Sequence, residues 1–248
     1  MNLTVSVITA VYNSASTVAD ALASVRGQSW GAVEHIVIDG ASTDGSLPIL
    51  QAHAAQLAVL VSEPDKGIYD ALNKGIARAT GDVVGFLHAD DVFAGPDALA
   101  HVAAAFADPA VDAVYGDLDY VRQSDVTRRV RRWRSGPFRP GSLAWGWMPP
   151  HPALYVRRGW YERIGGFDTR YRISADYDSI LRLFSRPDFN AVYLPEVLVK
   201  MRLGGASNGS VKAVLRKSRE DYDALRRNQM GGLGALACKN ISKLGQFF

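Results

Sequence analysis

The sequence contains a single cysteine, Cys238, and no apolar run long enough to span a bilayer. One cysteine cannot form an internal disulfide bond, which is consistent with a reducing compartment. A membrane-spanning helix needs about 18 or more apolar residues, and the first residues lack the basic region of a signal peptide. We therefore expect a cytoplasmic protein that meets a membrane, if at all, peripherally and at the inner face of the cytoplasmic membrane.

Several catalytic motifs are also absent from the sequence. The five histidines do not have the spacing of zinc ligands, and no nucleophilic triad is evident. No glycine-rich loop bearing Lys or Arg follows the first predicted strand, which argues against nucleotidyl transfer from a nucleoside triphosphate. The acidic residues are the first candidates for chemistry.

The charge balance is modest, with a formal net charge of +3 over 248 residues. Such a value argues against a dedicated nucleic-acid binder. Positive charge is concentrated between Arg128 and Arg134, in the segment TRRVRRWR. This segment could bind phosphate or anionic lipid, or it could be an ordinary basic strand or loop.

Strand and helix patterns alternate four times in the first half of the chain. Short β-branched runs predict strands over 3–9, 34–39, 58–62 and 82–87, with helices following them. This alternation is typical of an α/β protein with a parallel sheet and helices on both faces. Beyond it, residues 116–150 look irregular, residues 175–184 and 211–229 look helical, and residues 191–201 look strand-like. Without repeats or linkers, one continuous domain is expected.

Polar side chains follow the predicted strands where the strands end. Thr9 and Tyr12 come after the first strand, Asp39 after the second, and Asp90 and Asp91 after the fourth. Ligands of such sheets bind beyond the carboxyl ends of the strands. These positions are therefore the first candidates for a binding site.

The adjacent acids Asp90 and Asp91 repel each other unless a cation neutralises them. Mg²⁺ typically takes one or two carboxylates together with phosphate oxygens, so the pair is a candidate metal site. The alternative is a surface turn with a helix-capping Asp. Asp39 is interpreted as a binding residue because it ends a buried strand, whereas Asp44 suits a turn.

Two helix starts carry further candidates. Lys66 and Gly67 precede a helix whose free amides could face phosphate, although a solvated helix start is the alternative. Asp176 opens an apolar helix and could act as a general base. Its neighbour Asp178 could simply complement the helix dipole.

Five segments in order resemble the family 2 glycosyltransferases of the GT-A fold, as found in bacterial polysaccharide and O-antigen synthesis. The segments are SVITAVYNSASTVADALASVRGQSW, EHIVIDGASTDGS, SEPDKGIYDALNKGIARATGDVVGFLHADD, HPALYVRRGWYERIGGFD and GGFDTRYRISADYDSILRL. The resemblance runs from about Thr4 to Gly205. It implies a Rossmann-like, mostly parallel central sheet and transfer of a hexose, with inversion, from a UDP-sugar to an acceptor hydroxyl.

The resemblance also implies a division of the chain and a set of partners. Residues 1–115 would bind the nucleotide sugar, residues 116–210 would hold the acceptor and the base, and residues 211–248 would form a C-terminal helical segment. The cofactor would be Mg²⁺ or Mn²⁺, the donor a UDP-sugar, and the acceptor a lipid-linked saccharide.

The resemblance assigns roles to individual residues. Thr9, Tyr12, Asp39, Asp65, Asn73 and Asp90 would contact the nucleotide sugar, with Tyr12 stacking on uracil. Asp90 and Asp91 would compete as metal ligands, and Asp176 would be the catalytic base. His151, Asp178 and Arg182 would lie on the acceptor side, where Arg182 would steady its helix or meet phosphate.

The sequence departs from the family pattern at three points. His88 replaces the first acid of the metal motif, and Ala175 replaces the Glu that often precedes the base. The segment MRLGGAS lacks the His that touches the metal in many relatives, so the metal would depend more on diphosphate and water.

Two further questions stay open at the level of sequence. The Arg128–Arg134 segment and residues 233–248 could help the protein dock on a membrane, or the C-terminal residues could form a dimer interface. The rival functions are a sugar nucleotidyltransferase and a non-catalytic protein that binds nucleotide sugars or glycans.

Overall fold

The computed structural model describes residues 3–204 and 211–242. The strands are β1 (Val5–Val11), β2 (Val33–Asp39), β3 (Val59–Ser62), β4 (Val83–Phe86), β5 (Val92–Phe93), β6 (Ala113–Arg122), β7 (Asp125–Trp133), β8 (Leu154–Arg157) and β9 (Ala191–Arg202). The helices are α1 (Val18–Arg26), α2 (Ser46–Ala52), α3 (Ile68–Ile76), α4 (Ala98–Ala105), α5 (Arg158–Ile164), α6 (Ala175–Phe184), α7 (Val211–Arg227) and α8 (Leu233–Ser242).

The strands form one sheet in the order β3-β2-β1-β4-β8-β6-β9-β5, with β7 paired to β6. In the first half, β1 pairs in parallel with β2 and β4, and β2 pairs in parallel with β3. Every residue of β1 is buried, as expected for a strand covered on both sides. The carboxyl ends of these strands therefore meet at one edge of the sheet.

Helices cover both faces of the sheet, which confirms the predicted α/β fold. The residues of β1 alternate, so that Ile8 packs in the core under α3 and α6 while Val7 packs under α4. The helices α7 and α8 belong to the first of these layers, through Leu225 and Ala235. None of the helices among the described residues is long and apolar enough to cross a membrane.

The prediction that residues 116–150 are irregular is wrong over most of its first half. Strand β6 continues to Arg122 and turns into β7, which carries the Arg-rich segment. Its content of Arg, Trp, Gly and Pro made this stretch look irregular. In the fold, the acids Asp117 and Asp119 of β6 are buried. Asp117 accepts a hydrogen bond from the Tyr193 hydroxyl at 2.8 Å, and Asp119 binds Arg132 through two bonds of 2.7 and 3.0 Å.

A buried histidine in β2 makes the stability of the fold depend on pH. His35 Nε2 lies 3.0 Å from Thr9 Oγ1, and burial lowers the pKa of His35 to about 4. The unfolded chain takes up this proton near pH 6.5, whereas the folded chain does not. The free energy of unfolding therefore decreases as the pH falls from 6.5 to about 4. His35 accounts for about 3 kcal/mol of this decrease.

We expect His35→Gln to flatten this pH dependence, because glutamine does not titrate. Urea unfolding of both proteins at pH 7 and at pH 4.5 measures the effect. His151 titrates in the same range, so the variant should keep part of the slope. An unchanged slope in the variant would contradict the assignment.

Candidate active site

A cleft of about 1350 Å³ opens beyond the carboxyl ends of β1, β2 and β4. Its walls come from both halves of the chain, and they include candidates that are far apart in sequence. The predicted site residues that line it are Tyr12, Asp65, Asp90, Asp91, His151 and Asp176. The cleft therefore brings the candidate metal ligands and the candidate base to one place.

One end of the cleft is built around Gly40, which follows β2. A side chain at this position would collide with the carboxylate of Asp65 and touch the ring of Tyr12. Asp65 Oδ1 accepts a hydrogen bond from the N–H of Gly67 at 2.8 Å, and the Tyr12 side chain is 65% exposed. An exposed ring beside a fixed carboxylate is suited to stacking on a planar base and accepting its hydrogen bonds.

Thr9 and Asp39 do not line this cleft. Both are fully buried, and Thr9 faces His35 because alternate side chains of β1 point to opposite faces. The Asp39 carboxylate accepts hydrogen bonds from the hydroxyls of Ser42 at 2.5 Å and Ser62 at 2.6 Å. Asp39 thus anchors the loop that carries Gly40.

The side chain of Asn73 is also hydrogen-bonded to another part of the chain. Its Nδ2 donates to the carbonyl of Phe167 and its Oδ1 accepts from the N–H of the same residue, each at 2.8 Å. This pair of bonds connects α3 to the loop before α6, the helix that carries the candidate catalytic base Asp176. The sequence placed Asn73 near the donor, and only the folded chain shows these backbone partners.

We expect Asn73→Ala to lower the free energy of unfolding by about 2 kcal/mol, because two buried backbone groups lose their partners. Urea denaturation measures this change. Binding of UDP should stay at the wild-type level in the folded variant, with the exposed Gln51→Ala as control. A large loss of UDP affinity without loss of stability would show instead that Asn73 binds the nucleotide sugar.

The acids Asp90 and Asp91 differ in their surroundings. Asp90 is partly exposed, whereas Asp91 is 0% exposed, and its Oδ2 has no hydrogen-bond partner among residues 3–204 and 211–242. Asp91 Oδ1 accepts a bond from the backbone N–H of Arg202 at 3.3 Å. Burial, and then the charge of Asp90, raise the pKa of Asp91 well above its usual range.

The two carboxylates suit a cation that completes its ligands from outside the chain. Within residues 3–204 and 211–242, no group of three or more His, Cys, Asp or Glu side chains could hold a metal ion. Mg²⁺ and similar cations often need only one or two carboxylates when a diphosphate supplies further oxygens. The unpartnered Asp91 Oδ2 fits that requirement.

Two histidines line the same cleft, with ring centroids 5.8 Å apart. His151 stacks on Phe86 at 4.8 Å, and burial lowers the pKa of His151 to about 4. Burial also lowers the pKa of His88, against the opposing charge of Asp90. Both rings are therefore neutral near pH 7, so His88 replaces the first acid of the motif with an uncharged group.

Asp176 lies in the first turn of α6 and lines the cleft. The Tyr69 hydroxyl lies 3.1 Å from Asp176 Oδ1 and 2.6 Å from the carbonyl of Ile173, so its proton is shared between these acceptors. Burial, and next the charge of Asp176, raise the pKa of Tyr69. Tyr69 thus stays protonated and orients one oxygen of the carboxylate.

Asp178 and Arg182 stabilise the position of α6 and do not line the cleft. Asp178 accepts bonds from Arg182 Nε at 2.8 Å and from Asn228 Nδ2 at 2.9 Å. Arg182 also donates to the carbonyl of Gly166 at 2.7 Å. Of the two roles considered for Arg182, the structure supports steadying its helix.

Sequence reasoning missed several cations on the cleft wall. They are Arg172, Arg202, Lys212, Arg216 and Lys217. Lys66 and Arg131 also line the cleft, and the sequence had indicated both as part of segments that could bind phosphate. The charged helix pattern of α7 was visible in the sequence, but no local signal indicates that its first turns border a cleft formed by strands more than 100 residues away.

Comparison with known proteins defines the class. The family described as Glycosyl transferase family 2 matches residues 6–179, and the chain belongs to this family. It is a glycosyltransferase. A relative from Mycobacterium bovis, a PGL/p-HBAD biosynthesis glycosyltransferase, is 35% identical over 208 residues, which cover 82% of this chain and 78% of the relative.

Solved structures show the same fold. The mannosyltransferase PcManGT from Pyrobaculum calidifontis, in complex with GDP-Man and Mn²⁺, has a TM-score of 0.71 at 24% identity, covering 99% of this chain and 71% of that one. S. aureus TarS 1–349 in complex with UDP-GlcNAc has a TM-score of 0.70 at 17% identity. That match covers 91% of this chain and 65% of TarS 1–349. The predicted GT-A fold is confirmed.

Proposed function

We propose that this glycosyltransferase transfers a hexose from a UDP-sugar to a hydroxyl of a lipid-linked saccharide, with inversion at the anomeric carbon. The observation that carries the proposal is that Asp176 and the pair Asp90 and Asp91 line one cleft, although they come from different halves of the chain. The mycobacterial relative named for PGL/p-HBAD biosynthesis and the UDP-GlcNAc complex of TarS are consistent with the proposed acceptor and donor classes.

In this mechanism Asp176 is the general base. The acceptor hydroxyl gives its proton to the carboxylate as its oxygen attacks the anomeric carbon. The bond from that carbon to the diphosphate oxygen breaks on the opposite side, and the electron pair leaves with UDP, so the configuration inverts. Tyr69 orients the carboxylate during this transfer, and no covalent intermediate is required.

Asp90 and Asp91 would hold a Mg²⁺ or Mn²⁺ ion. The fit comes from the adjacent carboxylates and the unpartnered oxygen of Asp91, and PcManGT was solved with Mn²⁺. A bound divalent cation offsets the negative charge that develops on a leaving diphosphate. Asp90, which is the more exposed of the two acids, would meet the ion or the ribose first.

The base of the nucleotide would lie at the Gly40 end of the cleft. Tyr12 would stack on it and Asp65 would accept a hydrogen bond from base or ribose, as their positions across Gly40 allow. Asp39 would act indirectly. Its carboxylate accepts hydrogen bonds from the hydroxyls of Ser42 and Ser62 and so anchors the loop that carries Gly40. His151 would face the acceptor.

We also propose peripheral contact with an anionic membrane surface. Helix α7 exposes the aliphatic side chains of Val214 (55%) and Leu215 (66%) beside the exposed cations Lys212 and Arg216. The same first turns of α7 border the cleft, so a lipid-linked acceptor could reach the base from the bilayer. In the Arg128–Arg134 segment, Arg128 and Arg129 on β7 and Arg134 just after it add exposed positive charge. Of the C-terminal segment 233–248, residues 243–248 lie outside the described part.

Flotation with liposomes containing anionic lipid tests this contact. The double variant Val214→Ser/Leu215→Ser and the double variant Arg128→Gln/Arg129→Gln should each bind less, the second by about 1 kcal/mol for each lost charge. Arg186→Gln, which removes an exposed cation after α6, is the control. Flotation equal to wild type in both double variants would refute the contact.

The decisive experiment for the proposed function measures nucleotide release from a donor panel, with and without a saccharide acceptor. We expect UDP release from a UDP-hexose, stimulated by acceptor and lost in EDTA. Release of GDP from GDP-mannose would correct the donor. Binding without turnover would indicate a glycan-binding or nucleotide-sugar-binding protein, and pyrophosphate release from a nucleoside triphosphate would indicate a nucleotidyltransferase.

A further inference from the structure

The two C-terminal helices lie outside the part of the chain that matches the family, which ends at residue 179 within α6. They nevertheless pack against the segment that carries the base. Leu225 of α7 and Ala235 of α8 share one hydrophobic core with Tyr177 and Leu181 of α6. The question is whether they only cover this core or also set the geometry of Asp176.

Glu220 of α7 binds the backbone just before the base helix. Its Oε2 accepts hydrogen bonds from the N–H groups of Ile173 at 2.8 Å and Ser174 at 3.0 Å. Ser174 makes no side-chain cap for α6, and a carboxylate from another helix binds the two amides just before that helix. A negative charge at this end also suits the helix dipole.

Glu220 is connected to the proposed base, Asp176, through Ile173 and Tyr69. The same Ile173 whose N–H binds Glu220 accepts the Tyr69 hydroxyl at its carbonyl, 2.6 Å away. That hydroxyl is also 3.1 Å from Asp176 Oδ1. A shift of the backbone at Ile173 would therefore move the hydroxyl that orients the base.

A buried lysine of α8 makes the second connection. Lys239 is 1% exposed, and its Nζ lies 3.0 Å from the centre of the Tyr177 ring and 2.9 Å from Asp221 Oδ2. Tyr177 is the residue directly after Asp176. Lys217, on the cleft wall, is 3.0 Å from the same Asp221 oxygen.

A charged group in this position needs a reason, because burying an ion costs free energy that an apolar side chain would not. Close packing holds Lys239 in place, since a side chain at Gly146 would collide with the lysine backbone and Cβ. The cation over Tyr177 and the carboxylate of Asp221 together fix the first turn of α6 in a direction that apolar packing alone does not specify.

We propose that Glu220 and Lys239 are positioning residues for the catalytic base, and that α7 and α8 are part of the active site. This inference rests on the proposed role of Asp176. Glu220 fixes the backbone of Ile173 and Ser174 before Asp176, and Lys239 fixes the ring of Tyr177 after it. Neither residue touches the substrates.

The test compares Glu220→Gln, Lys239→Met and Lys239→Arg with wild type in the full chain. We expect the first two to lower kcat by about 10- to 100-fold, because small displacements of a reacting group have effects of this size. UDP affinity and donor KM should not change. Lys239→Arg, which keeps the cation, should recover part of the lost kcat. Arg226→Met, an exposed cation on α7, is the control.

A second measurement does not depend on turnover. Hydrogen–deuterium exchange of the backbone amides of residues 173–178 should be faster in Glu220→Gln and Lys239→Met than in wild type or the control. If wild type shows no transferase activity but the exchange changes as expected, the proposed function fails while the positioning contacts stand.

Three outcomes would overturn the inference. They are wild-type kcat in both folded variants, equal losses of kcat and UDP affinity, and exchange at residues 173–178 equal to wild type. If Lys239→Met does not fold, the milder Glu220→Gln variant decides by the same criteria.

Discussion

Replacing Asp176 by asparagine is expected to lower kcat by about 10²- to 10⁴-fold, the usual contribution of a positioned general base. Asparagine has nearly the same shape and still accepts the hydrogen bond from the Tyr69 hydroxyl. It cannot take a proton from the acceptor. The loss should therefore fall on the chemical step.

The affinity for UDP should be unchanged in Asp176→Asn, because the nucleotide is proposed to bind at the Gly40 end and at Asp90. Steady-state kinetics and UDP titration separate the two effects. Asp188→Asn, which removes an exposed acid paired with Arg163, is the control. Near-normal turnover of a folded Asp176→Asn protein would mean that the base lies elsewhere.

The second large effect is expected for the acidic pair. Asp90→Ala should abolish the dependence of UDP binding on Mn²⁺ and lower kcat by at least about 10²-fold, because charge on the leaving diphosphate would no longer be offset. Titration of UDP in Mn²⁺ and in EDTA measures this. A wild-type enzyme indifferent to EDTA would exclude the metal role.

Asp91→Asn distinguishes the two acids. Burial and Asp90 raise the pKa of Asp91, so ionisation of this group opposes folding increasingly as the pH rises above the ordinary value for an acid. Without metal, Asp91→Asn should therefore be at least as stable as wild type at pH 8, while losing the stabilisation that Mn²⁺ with UDP provides. Thermal unfolding with and without both ligands provides the comparison.

The first half of the fold was predictable because its signals are local. Continuous β-branched runs such as the one ending at Thr9 identify buried parallel strands, and polar residues at their ends identify the binding edge. The hairpin of β6 and β7 was not predictable, because residues 116–150 are rich in Arg, Trp, Gly and Pro and so have the composition of an irregular segment. Only in the fold do the buried acids Asp117 and Asp119 meet their partners, Tyr193 on β9 and Arg132 on β7.

The same distinction runs through the site. Tyr12, Asp65, Asp90 and Asp176 were found by sequence and line the cleft. Asp39 and Asn73 were also singled out, but the folded chain binds Asp39 to serine hydroxyls and Asn73 to a backbone segment. A side chain's type shows what it can bind, whereas its neighbours in space decide which partner it has.

By itself the sequence determined the family, the parallel half of the sheet and the acids available for chemistry, since these depend on order and spacing along the chain. Only the tertiary structure decided which acids meet in one cleft, that His88 and His151 are neutral there, and that Glu220 and Lys239, from beyond the family match, contact the residues on either side of Asp176. Burial and long-range pairing depend on which surfaces the folded chain brings together, and no short stretch of sequence contains that information.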